Sequence, residues 1–207
     1  MEKNLKKKLI IFDFDGVLFD SLDNMKFSWE YVKKKYSLKT DFKNYVQYLG
    51  LPFKEILSNL KINSNHTEIS KYYKFISEKN LDLIIPFDKV IKTLNILKKN
   101  KIKIAICTSK DFVRTKKVID KYNLKFDAIE ADTNNKKTHK TEPHQLIDIM
   151  DKLGIEKKHT VYIGDTFVDY LTSKNANIDY FHAGWGYAYI NEKVIILDNI
   201  NEIFDYV

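Results

Sequence analysis

The sequence has one cysteine, Cys107, and one arginine, Arg114. A single thiol excludes an internal disulfide framework. Cys107 lies in an apolar run and reads as a small buried hydrophobe rather than a reactive thiol. The scarcity of arginine argues against a specific nucleic-acid reader, because such proteins lean on arginine forks for phosphate and guanine contacts. The net charge of +7 comes almost wholly from lysines spread along the chain, and reads as a solvated surface. There is no Gly-rich Walker loop to cradle a nucleotide. His66, His139, His144, His159 and His182 show no paired metal-ligand spacing with cysteine or glutamate and read as non-catalytic. The apolar run after the basic stretch 1–8 lasts four residues before Asp13, too short for a signal-peptide core or a membrane span. A cytoplasmic protein is expected, with neither a membrane nor nucleic acid as partner. Internal repeats and low-complexity tracts are also missing.

What is present is organised around Leu9-Ile10-Ile11-Phe12-Asp13-Phe14-Asp15-Gly16-Val17-Leu18-Phe19-Asp20. Four apolar residues bounded by a turn signal predict a fully buried strand. Asp13 and Asp15, two apart on extended backbone, project in similar directions and can address one reacting centre. Gly16 lets the chain turn beside them. Two carboxylates this close are not both ionised cheaply unless a cation neutralises one. Their roles therefore divide into a nucleophile or metal ligand and a proton donor and acceptor.

The 207 residues suffice for one large domain, or one with a modest insertion. Asp20-Ser21 is positioned to cap a helix from Leu22 to Tyr36, with Met25, Trp29 and Val32 at helical spacing. Further helices are expected over 41–49, 53–60 and 65–79, and no strand between Ser21 and Asn80. From Pro86 the pattern alternates. Helices are expected over 87–99, 112–122, 142–153 and from Asp169 to about Asn175. Strands are expected over 102–107, 126–129, 160–163, 179–183 and 194–197. This alternation predicts an α/β fold with a Rossmann-like parallel sheet and crossover helices. The division expected is a core of residues 1–20 and 82–207 with a small all-helical cap, 21–81, inserted after the first strand.

In such a sheet the loops after the strands meet along one edge. Three strands end in polar residues: Asp13 and Asp15, Thr108 and Ser109, Asp165 and Asp169. Lys140 precedes a further helix. Together they supply a nucleophile, a proton shuttle, hydroxyl donors, a cation and more carboxylates, a set suited to phosphoryl transfer. Hard oxygen ligands point to Mg²⁺ rather than zinc.

Over nearly its whole length the chain resembles the haloacid dehalogenase-like phosphohydrolases of the branch with a helical cap, most closely the phosphoglycolate phosphatase-like members. Four motifs carry the resemblance, in order: Asp13-Phe14-Asp15-Gly16-Val17-Leu18, Thr108-Ser109-Lys110, Lys140-Thr141-Glu142-Pro143, and Gly164-Asp165-Thr166-Phe167-Val168-Asp169. It implies that Asp13 attacks phosphorus, forms an aspartyl-phosphate and binds Mg²⁺. Asp15 would protonate the leaving oxygen and then activate water, its backbone carbonyl adding a metal ligand. Thr108 would hydrogen-bond the phosphoryl oxygens, with Ser109 supporting that loop. Lys140 would neutralise Asp13 and the transferring group, and Asp165 and Asp169 would hold the metal directly or through water.

The third motif departs from the family's Lys-Pro-x-Pro, with Thr141 in place of the first proline. Pro143 and the helix after it favour Lys140 over Lys136 or Lys137. Lys54, after Pro52 in the insertion, is a candidate contact for a substrate carboxylate or second phosphate. Trp185, in Gly184-Trp185-Gly186-Tyr187, is a candidate pocket residue. The expected activity is Mg²⁺-dependent hydrolysis of a small phosphorylated metabolite: phosphoglycolate, a sugar or polyol phosphate, or a nucleotide. A phosphomutase of the β-phosphoglucomutase kind and a phospho-ligand-binding module without turnover are the rivals, and the sequence leaves oligomeric state open.

Overall fold

The computed structural model describes residues 6–132 and 141–207. Its centre is β1, Leu9–Phe12, whose four side chains are all fully buried. On one side β1 pairs in parallel with β4, Lys103–Asp111, and on the other with β6, Thr160–Gly164. Outside these lie β5, Ala128–Asp132, and then β7, Asp179–Ala183, and β8, Ile195–Leu197. The sheet is six-stranded and parallel, in the order β5-β4-β1-β6-β7-β8. The α/β expectation is met.

Strand alternation sends Ile10 and Phe12 to one face and Leu9 and Ile11 to the other. The first face packs against α5, Val90–Lys99, and α6, Phe112–Lys121, through Leu94, Leu97, Val118 and Ile119. The second packs against α7, His144–Leu153, and α8, Phe167–Ala176, through Leu146, Ile149, Met150 and Ala176. A strand covered on both faces has no solvent side, which is why β1 reads as an unbroken apolar run.

Between β1 and α5 the chain forms four α-helices: α1, Leu22–Lys35, α2, Phe42–Val46, α3, Phe53–Asn59, and α4, His66–Lys79. They enclose their own apolar cluster around Trp29, Tyr45, Leu57, Ile69 and Tyr73. This helical unit joins the rest through a short antiparallel pair, β2 (Phe19–Asp20) against β3 (Ile85–Pro86). Two residues a side are too few for a hydrophobic period to show, so the pair is invisible in the sequence.

Several boundaries differ from the sequence reading. β4 continues past Cys107 through Thr108, Ser109 and Lys110 to Asp111, with a register shift against β5 where the polar residues begin. β5 starts two residues later than expected. α5 begins only at Val90, because Lys89 takes a left-handed φ of 62° that ends the preceding turn. Ser21 holds the N-cap position of α1, yet its side chain makes no capping bond. The carboxylate of Asp20 accepts from Leu22 N instead, at 3.2 Å, and the Ser21 hydroxyl donates to Asp15.

Candidate active site

Register alone brings the first carboxylates together. Phe12 lies opposite Ile163, and Asp13 N donates to Ile163 O at 2.8 Å, so Asp13 leaves β1 directly beside the end of β6. Asp165 follows the last residue of β6, and Asp169 sits one turn into α8. Carboxylate oxygens of Asp13, Asp165 and Asp169 all lie within 4.8 Å of one another, and all three residues are buried.

Each carboxylate is held by its surroundings. Asp13 Oδ1 accepts from Phe14 N at 2.8 Å, and Asp165 Oδ2 from Tyr187 N at 2.8 Å. Asp169 forms a capping box with Thr166 at the start of α8. Its Oδ2 accepts from Thr166 N at 3.0 Å and Thr166 Oγ1 at 2.6 Å, and its Oδ1 faces the Tyr162 hydroxyl at 2.9 Å. The protein thus engages both oxygens of that carboxylate. Asp169 therefore combines a structural cap with a place in the acidic cluster.

Close packing of backbone around Asp165 explains two glycines. Gly16 has φ +86°, and a Cβ there would meet Asp165 Oδ2 at 2.1 Å. A Cβ on Gly186 would meet Asp165 Cβ at 2.2 Å. Trp185, between the two loop glycines, is absent from the lining of the cavity described below. Its indole donates to Val17 O at 3.0 Å and pins the 184–187 loop to the loop after β1, so that Gly186 and Tyr187 reach Asp165.

Asp15 turns away from the acidic trio. Its Oδ1 accepts from Ser21 Oγ at 2.5 Å and from Lys110 Nζ at 3.1 Å. Lys110 is almost completely buried, and burial pulls its ammonium below the ordinary lysine value even with Asp15 beside it. Thr108 is also buried, with its hydroxyl oxygen accepting from Lys110 N at 3.2 Å. Ser109 donates to Gly50 O of the helical unit at 2.9 Å, tying β4 to that unit. Lys54 is exposed on α3 and is not among the residues lining the cavity. Lys140, like Lys136 and Lys137, lies outside the described residues.

A cavity of about 70 Å³ lies between the strand ends and the helical unit. Asp13, Asp15, Thr108 and Asp165 line it from the sheet, and Tyr45, Leu51, Phe53 and Tyr73 from the helices. Lys110 and Arg114 line it as well, and the sequence pattern singles out neither for a role. A signal is there nonetheless: Arg114 is the only arginine, three residues after Asp111 on a helix.

A family model for haloacid dehalogenase-like hydrolases matches residues 10–183. The chain belongs to that family. Among its relatives, a phosphoglycolate phosphatase of Aquifex aeolicus (strain VF5) is 28% identical over 192 residues, covering 90% of this chain and 89% of the relative. A pyrophosphatase PpaX of Bacillus velezensis (strain DSM 23117 / BGSC 10A6 / LMG 26770 / FZB42) is 26% identical over 180 residues, covering 85% and 82%. The solved structure of a haloacid dehalogenase-like protein from Bacteroides fragilis superimposes with a TM-score of 0.88 at 22% identity, over 96% of this chain and 100% of the other. That last likeness is one of fold. As a haloacid dehalogenase-like hydrolase, the chain carries its family's first, second and fourth motifs on the strand ends that meet at one edge of the sheet.

Proposed function

We propose that the protein is a Mg²⁺-dependent phosphomonoester hydrolase of small phosphorylated metabolites, working through an aspartyl-phosphate on Asp13. The observation that carries this reading is the buried trio Asp13, Asp165 and Asp169, with Asp15 beside it on a separate set of partners. Three buried carboxylates repel one another unless a cation shares them, and an all-oxygen donor set suits a hard divalent ion. These residues fit Mg²⁺, with Asp13 and Asp165 as direct ligands and Asp169, engaged by Thr166 and Tyr162, beside them in the cluster. When bound, the ion supplies neutralising charge to the phosphoryl oxygens.

Asp13 is the nucleophile: the bond from Phe14 N orients its carboxylate, and β1 fixes its backbone. Thr108 presents a hydroxyl to the phosphoryl group. Asp15, within reach of the same cavity, gives its proton to the leaving oxygen and later takes one from water. Lys110 and Ser21 hold Asp15 for that exchange. The helical unit acts as a cap, and the apolar residues it presents exclude water from the reacting atoms. The names of the relatives, phosphoglycolate phosphatase and pyrophosphatase, support a substrate of few atoms. The lone, buried Cys107 is in keeping with a cytoplasmic enzyme.

The test is inorganic phosphate release over a panel of phosphorylated metabolites, with and without Mg²⁺, for the parent and Asp13→Asn. Metal-dependent release that falls more than about a thousandfold in the variant is expected. Release by Asp13→Asn at the parent rate would remove the nucleophile assignment.

A further inference from the structure

The loop after β7 reaches two parts of the site through a single residue, Tyr187. Its backbone N donates to Asp165 Oδ2, in the acidic trio, at 2.8 Å. Its side chain runs instead to the strand pair that joins the helical unit to the sheet. There the hydroxyl accepts from Ser21 N at 2.6 Å and lies 3.2 Å from both Phe19 O and Asp20 Oδ1, which share its one proton. Phe19 and Asp20 are the whole of β2. The Tyr187 ring stands 6.3 Å from that of Phe87, the residue after β3, whose N donates to Leu18 O at 3.1 Å. Tyr187 therefore touches the acidic trio and both links to the helical unit. Burial, with the Asp15 carboxylate nearby, pushes its phenol well above the ordinary tyrosine value, so the hydroxyl keeps its proton and donates and accepts together.

Ser21 passes this contact on to Asp15. Ser21 is fully buried, so its amide has no water to turn to, and the phenol oxygen supplies an acceptor that a phenylalanine would not. The Ser21 hydroxyl in turn donates to Asp15 Oδ1 at 2.5 Å. Phe19 O also accepts from Gly16 N at 2.9 Å, one residue after Asp15. Asp15 lies beyond the end of β1, where pairing with β6 no longer sets the path of the chain. Its position relative to Asp165 is therefore set by side chains, and Tyr187 is bonded to the frames of both.

We infer that Tyr187 is a positioning residue for the hydrolytic site. Its backbone holds Asp165, and its hydroxyl holds the first link to the helical unit, and with it Ser21 and the Asp15 carboxylate, at a fixed place relative to the acidic trio. The inference rests on the hydrolase reading for the roles of Asp15 and Asp165, but the linkage itself does not. It also assigns a use to the joint between the helical unit and the sheet: the same short strand that carries the helices carries the support of the proton shuttle.

Amide hydrogen exchange, metal titration and kinetics on the full chain test it together. The Ser21 amide should be protected in the parent and should exchange about tenfold faster or more in Tyr187→Phe. Calorimetric titration with Mg²⁺ should give the two proteins affinities within about threefold, since the amide on Asp165 remains. For the phosphomonoester of the panel above that is hydrolysed fastest, kcat should fall about tenfold or more in Tyr187→Phe with KM little changed. In a Ser21→Ala background the same substitution should lower kcat by less than about threefold, because the path to Asp15 is already cut. A folded Tyr187→Phe that turned over at the parent rate would show a contact that serves stability alone. Equal losses in the two backgrounds, or a larger loss of Mg²⁺ affinity, would place the effect outside the path through Ser21. Each of these overturns the inference, and so does fast exchange at Ser21 in the parent, whether or not a variant folds. If the exchange and Mg²⁺ results hold but no phosphomonoester is hydrolysed, the hydrolase reading fails and the linkage stands. Phosphate release with exchange at Ser21 unchanged by Tyr187→Phe would remove the linkage and leave the hydrolase reading in place.

Discussion

The ammonium of Lys110 lies 3.1 Å from Oδ1 and 3.4 Å from Oδ2 of Asp15, although 95 residues separate them. The pair joins the end of β4 to the loop after β1, and with the Ser21 hydroxyl it fixes where the Asp15 carboxylate points. On the proposed reading, in which Asp15 shuttles the proton, Lys110 is its positioning residue.

Lys110→Met is expected to lower kcat for phosphate release by roughly tenfold or more, part of the 10²–10⁴-fold that a placed general acid–base group supplies. Steady-state kinetics at fixed Mg²⁺ checks this. A variant that changed KM alone would show that Lys110 serves binding only.

Gly16→Ala and Gly186→Ala should each disable the site through Asp165, since the added methyl groups would fall 2.1 Å and 2.2 Å from its atoms. At Gly16 the left-handed φ adds strain. A loss of about 1–3 kcal/mol in stability is expected for each, with a higher Mg²⁺ concentration at half-maximal activity. Denaturant titration and metal titration would measure the two effects. Parent-like metal dependence in both variants would show that Asp165 does not hold the ion.

Tyr162→Phe removes a buried hydroxyl that sits between Asp169 Oδ1 and Cys107 O. The one phenolic proton shared between these two buried acceptors would be lost, a cost of about 1–3 kcal/mol. For a chain of this length that corresponds to a fall in Tm of roughly 2–4 °C per kcal/mol. An unchanged Tm would mean that the acceptors find other donors.

His182 sets a pH dependence of stability. It is 3% exposed on β7, with Nδ1 3.1 Å from the Tyr180 hydroxyl and Nε2 3.0 Å from Ala188 O. Burial lowers its proton affinity below the ordinary histidine value of 6.5. Below that pH the unfolded chain takes up a proton that the folded chain does not, so stability falls as the solution is acidified through about 6.5. Urea unfolding at pH 7.5 and 5.5 should show a larger drop for the parent than for His182→Gln. Equal drops would assign the dependence to other groups.

The motifs are legible because each is a local pattern. Leu9–Phe12 is apolar throughout because both its faces are covered, and the carboxylates follow where a buried strand must end. The period of α1, through Met25, Trp29 and Val32, marks a helix with one buried face. Ser21 misleads because capping chemistry is local, whereas its actual acceptor, Asp15, reaches it through the fold of the intervening loop. Lys54 draws attention as a lysine after a turn, but the phase of α3 points it to solvent.

Residue order alone therefore determined the parallel α/β architecture, the helical insertion and the carboxylates at the strand ends, since strand and helix periodicity and the polar ends of apolar runs are properties of neighbours along the chain. Only the tertiary structure decided which side chains share the cavity. Lys110 and Arg114 meet Asp15, Tyr73 and Ser77 across 37 to 95 positions of sequence. Such distances are closed by sheet register and by the packing of the helical unit on β4 and α6, and no local pattern encodes them.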